Sequence, residues 1–198
     1  MKCAATLLTS AAISFMPIQM LAAQEGQAPS AGTTNGLAEW NRVFAVLSHP
    51  RCANCHVEDD HPRWSGPEFA APRVHGFNVR RGDDGSGFGN AGLRCTTCHF
   101  SSNAKVLHGP PGAENWHLAP AEMVWWQKSS AEICAQIKDP QRNGGRSLDE
   151  IADHVRNDKL VGWGWAPGAG RTPAPGSAEE TYEALRRWFE AGAPCPAG

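Results

Sequence analysis

Two pentapeptides of the same form carry the most chemically specific residues of this chain. CANCH occupies positions 52–56 and CTTCH occupies positions 95–99. In each, two cysteines three positions apart are followed directly by a histidine, which is the spacing of c-type haem attachment. The two thiols can add to the two vinyl groups of one haem, and the adjacent imidazole can then bind the iron. The sequence therefore predicts two covalently bound haems, held by Cys52, Cys55 and His56 and by Cys95, Cys98 and His99.

Two other uses of paired cysteines are less favoured. A zinc ribbon binds one metal through four thiolates from two Cys-x-x-Cys knuckles, but it gives no role to the histidine after each knuckle. Histidine makes up 8 of 198 residues, so its occurrence after both knuckles by chance has a probability on the order of 0.2%. A thioredoxin-like redox pair needs a single motif in a βαβ setting. The histidines therefore favour haem.

The first 23 residues have the pattern of a secretory signal peptide. Lys2 precedes an apolar run from position 4 to position 21, and Ala22 and Ala23 form a small-residue cleavage site. A retained membrane anchor is less favoured, because the run contains Thr, Ser and Pro and no stop-transfer charge cluster follows it. We therefore expect a periplasmic protein with no membrane insertion after signal removal. Residues 24–35, which are small and polar, are predicted to be a flexible leader, and residues 36–198 to form one domain.

The charge of the chain excludes some classes of partner. The net charge is −2, and it becomes −3 when Lys2 leaves with the signal. This is too small to predict a nucleic-acid or membrane-surface partner.

The cysteine count leaves one pair unassigned. The chain has seven cysteines, of which Cys3 lies in the predicted signal and four belong to the two motifs. Cys134 and Cys195 remain, and two leftover thiols in an oxidising compartment most often pair. We expect a Cys134–Cys195 disulfide; the alternative is that Cys134 is a small buried apolar residue.

The sixth ligands of the two irons must come from other histidines or from methionine. Met123 is the only methionine beyond the predicted signal, so at most one haem can have His/Met ligation. His75, on an apolar loop between the motifs, is the first choice. His117 and Met123 compete for the other iron, and His154 is a residual candidate that could instead be a packed helix histidine.

The elements expected around these residues are mainly helical. Apolar residues at positions 37, 40, 44 and 47 predict a helix that ends before Pro50. Ser-x-x-Glu capping boxes predict three more helices, at 131–138, 148–157 and 178–191. Strand signals are absent, and residues 80–87 are turn sequence. The predicted fold is mostly α with long ordered loops, forming a single dihaem cytochrome c domain.

Three further expectations concern the surroundings of the haems. The first cysteines of the motifs are only 43 positions apart, so the two haems should share one core and lie close together. The eight tryptophans either line the haem edges or fill a thin core. Arginines that could pair with haem propionates are Arg51, Arg73, Arg146 and Arg171.

Four stretches carry a resemblance to a known family. They are HPRCANCH at 49–56, PGAENWHLAP at 111–120, NGGR at 143–146 and LVGWGW at 160–165. With these the chain resembles a group of exported bacterial dihaem cytochromes described as subunits of isoquinoline 1-oxidoreductase. The resemblance implies an electron-accepting partner of such an enzyme, a molybdenum hydroxylase, rather than the enzyme itself.

A looser similarity covers about 50 residues. In the small dihaem subunit of periplasmic nitrate reductases, a Cys-x-x-Cys-His motif is also followed by a histidine in an extended loop and then by a second motif. His75 is the matching histidine here.

Together these features predict an electron-transfer protein and not an enzyme. Two six-coordinate haems would take electrons from a partner dehydrogenase and pass them toward the respiratory chain. The alternative is a haem enzyme, peroxidase-like or thiosulfate-oxidising, with one open or labile iron. Glu114 or His117 could then act as its acid–base group.

Overall fold

Six α-helices contain most of the regular structure in residues 31–198, the part of the chain described by a computed structural model. The predicted signal peptide and residues 24–30 of the predicted leader lie outside the described residues. The helices are α1 Ala31–Leu47, α2 Pro50–Ala53, α3 Ser130–Lys138, α4 Leu148–Asn157, α5 Lys159–Gly162 and α6 Ala178–Glu190. The fold is therefore mostly helical, as the sequence predicts.

The helical core forms where α6 packs against α1 and α4. Trp40 of α1 and Trp188 of α6 are both fully buried, with ring centroids 4.7 Å apart. Each indole N–H has a partner: Trp40 donates to the Ser130 hydroxyl at 2.8 Å and Trp188 to the Pro194 carbonyl at 2.8 Å. Because buried indoles need such partners, these two rings fix how α1, α3 and α6 meet. These tryptophans fill the core.

The three predicted caps are present. Ser129 and Ser147 each form a reciprocal capping box, with Glu132 and Glu150 respectively. Ser177 accepts a hydrogen bond from the backbone N–H of Glu180. Each cap pairs amide groups that a helix start would otherwise leave without partners. The helix starts therefore agree with the prediction to within one residue.

The first helix begins earlier than the sequence predicts. It starts at Ala31, so residues 31–35, expected to belong to the flexible leader, are helical. A side chain at Gly36 would place its Cβ 2.6 Å from Cγ of Pro194. The start of α1 is thus packed on the C-terminal segment. This long-range contact stabilises a helix that local composition does not favour.

Long loops with very short strands fill residues 54–129. Two antiparallel pairs occur, Arg63–Trp64 (β1) with Arg73–Val74 (β2), and Gly89–Asn90 (β3) with Leu93–Arg94 (β4). The sequence predicts no strands, because two-residue pairings are too short to produce an alternating pattern. Gly87, at φ +82°, lets the loop approach Leu118, whose N–H bonds to the Gly87 carbonyl at 3.0 Å.

A disulfide closes the C-terminal end of the fold. Cys134 of α3 is bonded to Cys195, with Cα atoms 5.7 Å apart. The pairing expected from the cysteine count is therefore found, and it holds the segment after α6 against α3. Within residues 31–198, no helix has the length and apolar character needed to cross a bilayer.

Candidate dihaem site

The first pentapeptide lies on a helical turn. His49 accepts the backbone N–H of Arg51 at its Nδ1 atom, and Pro50 occupies the first turn of α2. The turn continues beyond α2, since the N–H groups of Cys55 and His56 bond to the carbonyls of Cys52 and Ala53. Positions three and four apart on such a turn share one face. Both thiols and the imidazole are thus presented on the same side.

His56 is held by two contacts. Its ring is parallel to the Trp125 indole, with centroids 3.4 Å apart and planes inclined by 2°. Its Nδ1 lies 3.3 Å from the Met123 carbonyl. Nδ1 therefore carries the proton and donates it, which leaves the lone pair of Nε2 available to a metal. Burial lowers the pKa of His56 to about 3, so the ring is neutral, which is its metal-binding form.

His99, in the second pentapeptide, has a matching environment. A single 3₁₀ turn, Cys95–Thr97, positions it. Its Nδ1 donates to the Pro111 carbonyl at 2.8 Å, and its ring is parallel to Trp116 at 4.6 Å and 2°. Burial again lowers the pKa of this histidine. Trp116 and Trp125 therefore support the histidines of the two motifs, while Trp40 and Trp188 belong to the core.

Each motif opens into its own cavity. Cys52, Cys55 and His56 line a cavity of about 270 Å³, here called the first cavity. Cys95, Cys98 and His99 line a second cavity of about 580 Å³. Both cavities are bordered by the same five residues, so they adjoin one another. The shared residues are Arg51, Cys55, Trp116, His117 and Trp163.

His75 faces His99 in the second cavity. The centroids of the two rings are 6.0 Å apart. A coordinating ring nitrogen lies about 2 Å from its metal, so two imidazoles on opposite sides of one ion have centroids roughly 6 Å apart. The Nδ1 of His75 donates to the Gly76 carbonyl at 2.9 Å. The two ring planes are inclined by 60°, and the centroid distance is compatible with both imidazoles binding one ion.

The other three predicted ligands border the first cavity. His117, Met123 and His154 all line it. His117 also reaches the second cavity and stacks on Phe88 at 4.7 Å. His154, on α4, has its Nδ1 3.5 Å from the Asp158 carboxylate. The backbone of Met123 lies on the Nδ1 side of His56, because its carbonyl accepts that hydrogen bond.

His108 is a cavity residue to which the sequence gives no role. It lines the second cavity, and its ring lies 6.4 Å from Phe69. Its only local signal is its place between Leu107 and Gly109, and that pattern does not distinguish a cavity histidine from a surface one.

Two buried arginines have N–H groups without partners. Arg51 binds the Glu68 carboxylate at 2.5 Å and the Ser65 carbonyl at 3.1 Å, but its Nε is unpaired. Arg81 donates to the Ala119 carbonyl and lies 3.3 Å from the Asp60 carboxylate, but its Nη2 is unpaired. A buried donor without a partner is costly. Haem propionates are anionic acceptors that fit such groups.

Arg81 is buried like Arg51, but it is not among the propionate partners predicted from the sequence. The other three predicted arginines, Arg73, Arg146 and Arg171, are more exposed. Arg81 is 3% exposed although it lies in a turn sequence rich in Gly and Asp, and nothing local marks it as buried. Arg146 lines the first cavity and Arg171 the second. Arg73 lies over the Trp64 ring at 4.4 Å.

Among residues 31–198, no group of three or more His, Cys, Asp or Glu side chains is arranged to hold a metal ion.

Comparison of the chain with protein-family models, with curated proteins and with solved structures gives no match. The two family resemblances therefore stay predictions that rest on the quoted stretches. The geometry of the two cavities has to carry the functional conclusion.

Proposed function

We propose that this protein is an exported dihaem c-type cytochrome that transfers electrons between redox proteins in the periplasm. One observation carries the proposal: each Cys-x-x-Cys-His motif lines its own cavity, and the two cavities adjoin. Two one-electron centres side by side suit an electron carrier. Export rests on the signal-peptide pattern of residues 1–23.

Each functional side chain has a defined role in this proposal. The thiols of Cys52 and Cys55, and those of Cys95 and Cys98, anchor one haem each. His56 and His99 bind iron through Nε2 and are oriented by the carbonyls of Met123 and Pro111. Haem, when bound, supplies a centre that takes up and releases one electron. Arg51, which borders both cavities, would pair with a propionate.

The second cavity supports a carrier rather than an enzyme. An electron carrier needs both axial positions of the iron filled by the protein, whereas a peroxidase needs one open. His75 and His99 line the same cavity with ring centroids 6.0 Å apart, so both would hold the iron of the second haem. His117, Met123 and His154 line the first cavity and provide three choices for its sixth ligand.

The proposed electron donor is a dehydrogenase, and the electrons continue toward the respiratory chain. The family resemblance implies a molybdenum hydroxylase as this donor. The cytochrome itself catalyses no group transfer in this proposal. Its residues would hold one haem in each of the two adjoining cavities.

Ligand binding to the reduced protein tests the proposal. We expect the reduced dihaem protein to bind carbon monoxide slowly or not at all, and its hydrogen peroxide turnover to stay near that of free haem. A His75→Ala variant is the positive control, because it opens one axial position. Rapid stoichiometric carbon monoxide binding by the unaltered protein, with substrate-dependent peroxide turnover, would favour a haem enzyme and contradict the proposal.

A further inference from the structure

We propose that the rim of the second cavity is a docking surface for the acidic face of a redox partner protein. The name rim is used here for five exposed apolar side chains, of which Phe77 lines the second cavity and the other four are next to or two positions from histidines that line it: Val74, Phe77, Phe100, Val106 and Leu107. This inference rests on the proposed electron-transfer function, and it assigns to the second cavity the site of electron exchange with a partner.

The exposed apolar residues are concentrated around one set of histidines. Each of the five lies within two positions of His75, His99 or His108, and all three of these histidines line the second cavity. Phe77 is 87% exposed, Phe100 69% and Leu107 68%. Large apolar side chains grouped on a surface mark interaction sites.

The loops that carry the rim form one continuous wall. The Trp64 ring contacts both Phe69 and His75, at 5.5 and 6.1 Å. Phe69 in turn lies 6.4 Å from His108. Arg171 donates to the Gly109 carbonyl at 2.6 Å and so anchors the loop that carries Val106 and Leu107. Segments distant in sequence are thus side by side at this cavity.

The loops around the second cavity carry an excess of positive charge, which indicates a partner with an acidic surface. Residues 69–82 and 85–113 contain no Asp or Glu. They carry four exposed cations, Arg73, Arg80, Arg94 and Lys105. Within residues 31–198, none of the four forms a salt bridge. The only carboxylates between the two stretches are those of Asp83 and Asp84.

The helical part of the fold differs in charge from these loops. The first turns of α4 and α6 carry acidic residues, namely Asp149 and Glu150 on α4 and Glu179 and Glu180 on α6. The rim is thus a positive, apolar region on a chain whose net charge is −2. Interfaces of this kind combine an apolar centre with charged residues that steer the partner. A protein with an acidic face is therefore the occupant that fits.

The experiment measures electron transfer from the reduced dihaem protein to an acidic plastocyanin, followed by stopped flow. Arg80→Gln with Lys105→Gln removes two rim charges, and Phe100→Ser with Leu107→Ser removes two apolar contacts. Arg42→Gln on α1, whose side chain is 72% exposed, is the matched control. Benzoquinone, a small uncharged oxidant, reports whether the haems still exchange electrons without docking.

We expect the charge variant to lower the second-order rate constant by about tenfold at low ionic strength, with the difference shrinking as salt screens the attraction. The apolar variant should weaken docking by about tenfold at both ionic strengths. Arg42→Gln should behave as the unaltered protein. Oxidation by benzoquinone and the haem absorption spectrum should be the same in all variants.

Three results would overturn the docking proposal. One is a plastocyanin rate that is equal in all variants. Another is an altered haem spectrum in the apolar variant, which would mean that these side chains cover haem. A third is equally fast reaction of the unaltered protein with a basic redox protein of similar potential. Failure of the proposed function is distinct, because a protein without reducible haem reacts with neither plastocyanin nor benzoquinone.

Discussion

His56 and His99 have the same surroundings although their motifs fold differently. One follows a helical turn and the other a 3₁₀ turn, yet each ring has a parallel indole on its face and a carbonyl at Nδ1. A carbonyl at Nδ1 fixes the tautomer and raises the basicity of Nε2. The repeated arrangement is consistent with the proposed role of both histidines as metal ligands.

Replacement of His75 by alanine tests the facing pair. Both haems should remain attached, because attachment uses only the thiols. One haem should become high-spin, and its potential should rise, because a strong-field nitrogen donor is lost. Low-temperature EPR with near-infrared magnetic circular dichroism gives the spin state and the axial ligands of each haem. His108→Ala, in the same cavity, is the control and should leave both haems low-spin. If His75→Ala also leaves them low-spin, His75 is not a ligand.

Replacement of Arg81 by glutamine tests the buried cation. Arg81 acts electrostatically on His56, so loss of its charge should lower the reduction potential of the first haem, because a positive charge favours the reduced state. The change should be larger than for Arg80→Gln, since Arg80 is exposed and screened by solvent. Spectroelectrochemical titration gives the midpoint reduction potential of each haem. Equal shifts of the first haem's potential in the two variants would show that Arg81 affects this haem no more strongly than an exposed arginine does.

Residue types and short spacings predict some of these features and not others. The thiols and histidines of the two pentapeptides follow from the motif alone. The burial of Arg81 does not, because it depends on contacts with Asp60 and with the Ala119 carbonyl, 38 positions away. The parallel indoles are also invisible in sequence, since Trp125 meets His56 only after the chain has folded back.

At the scale of elements, local signals predicted the four longer helices α1, α3, α4 and α6 and missed the four-residue helices α2 and α5 and the short strands. Ser129 and Ser147 act through residues three positions away, so their effect can be recognised in sequence. Gly36 in the N-terminal half of α1 packs instead against Pro194 and Ala191 near the other end of the chain. β1–β4 have two residues each, and their pairing is fixed by loops and not by strand propensity.

The disulfide between α3 and the C-terminal segment should contribute strongly to stability. Its cysteines are 61 positions apart, and closure of such a loop is worth roughly 4 kcal/mol in the chain-entropy model. We expect Cys134→Ala with Cys195→Ala to lower the free energy of unfolding by about that amount in guanidinium titrations, with haem content unchanged. Reduction of the unaltered protein should have a similar effect, because thioether bonds resist thiol reagents. An unchanged unfolding midpoint would contradict this role.

At the scale of the whole molecule, helices border much of the first cavity and loops form most of the second. The helical core provides a rigid support through Trp40 and Trp188. The segment from Pro111 to Trp125 reaches both motifs, supplying the carbonyl and indole that meet each histidine. The short separation of the motifs predicts that they share one core, and in the structure they line adjoining cavities. The division into two adjoining cavities could not be predicted, because it depends on where Trp116 and Trp163 pack, at 4.8 Å.

Intact-mass spectrometry under denaturing conditions tests the central claim most directly. The protein should be produced with the periplasmic haem-attachment machinery, and variants with Cys52→Ala and Cys95→Ala serve as controls for each motif. We predict a mass equal to the polypeptide without its first 23 residues plus two covalently bound haems, and reduced haem attachment at the altered motif in each control. A polypeptide mass without added haem, or stoichiometric zinc in the native protein, would contradict the claim.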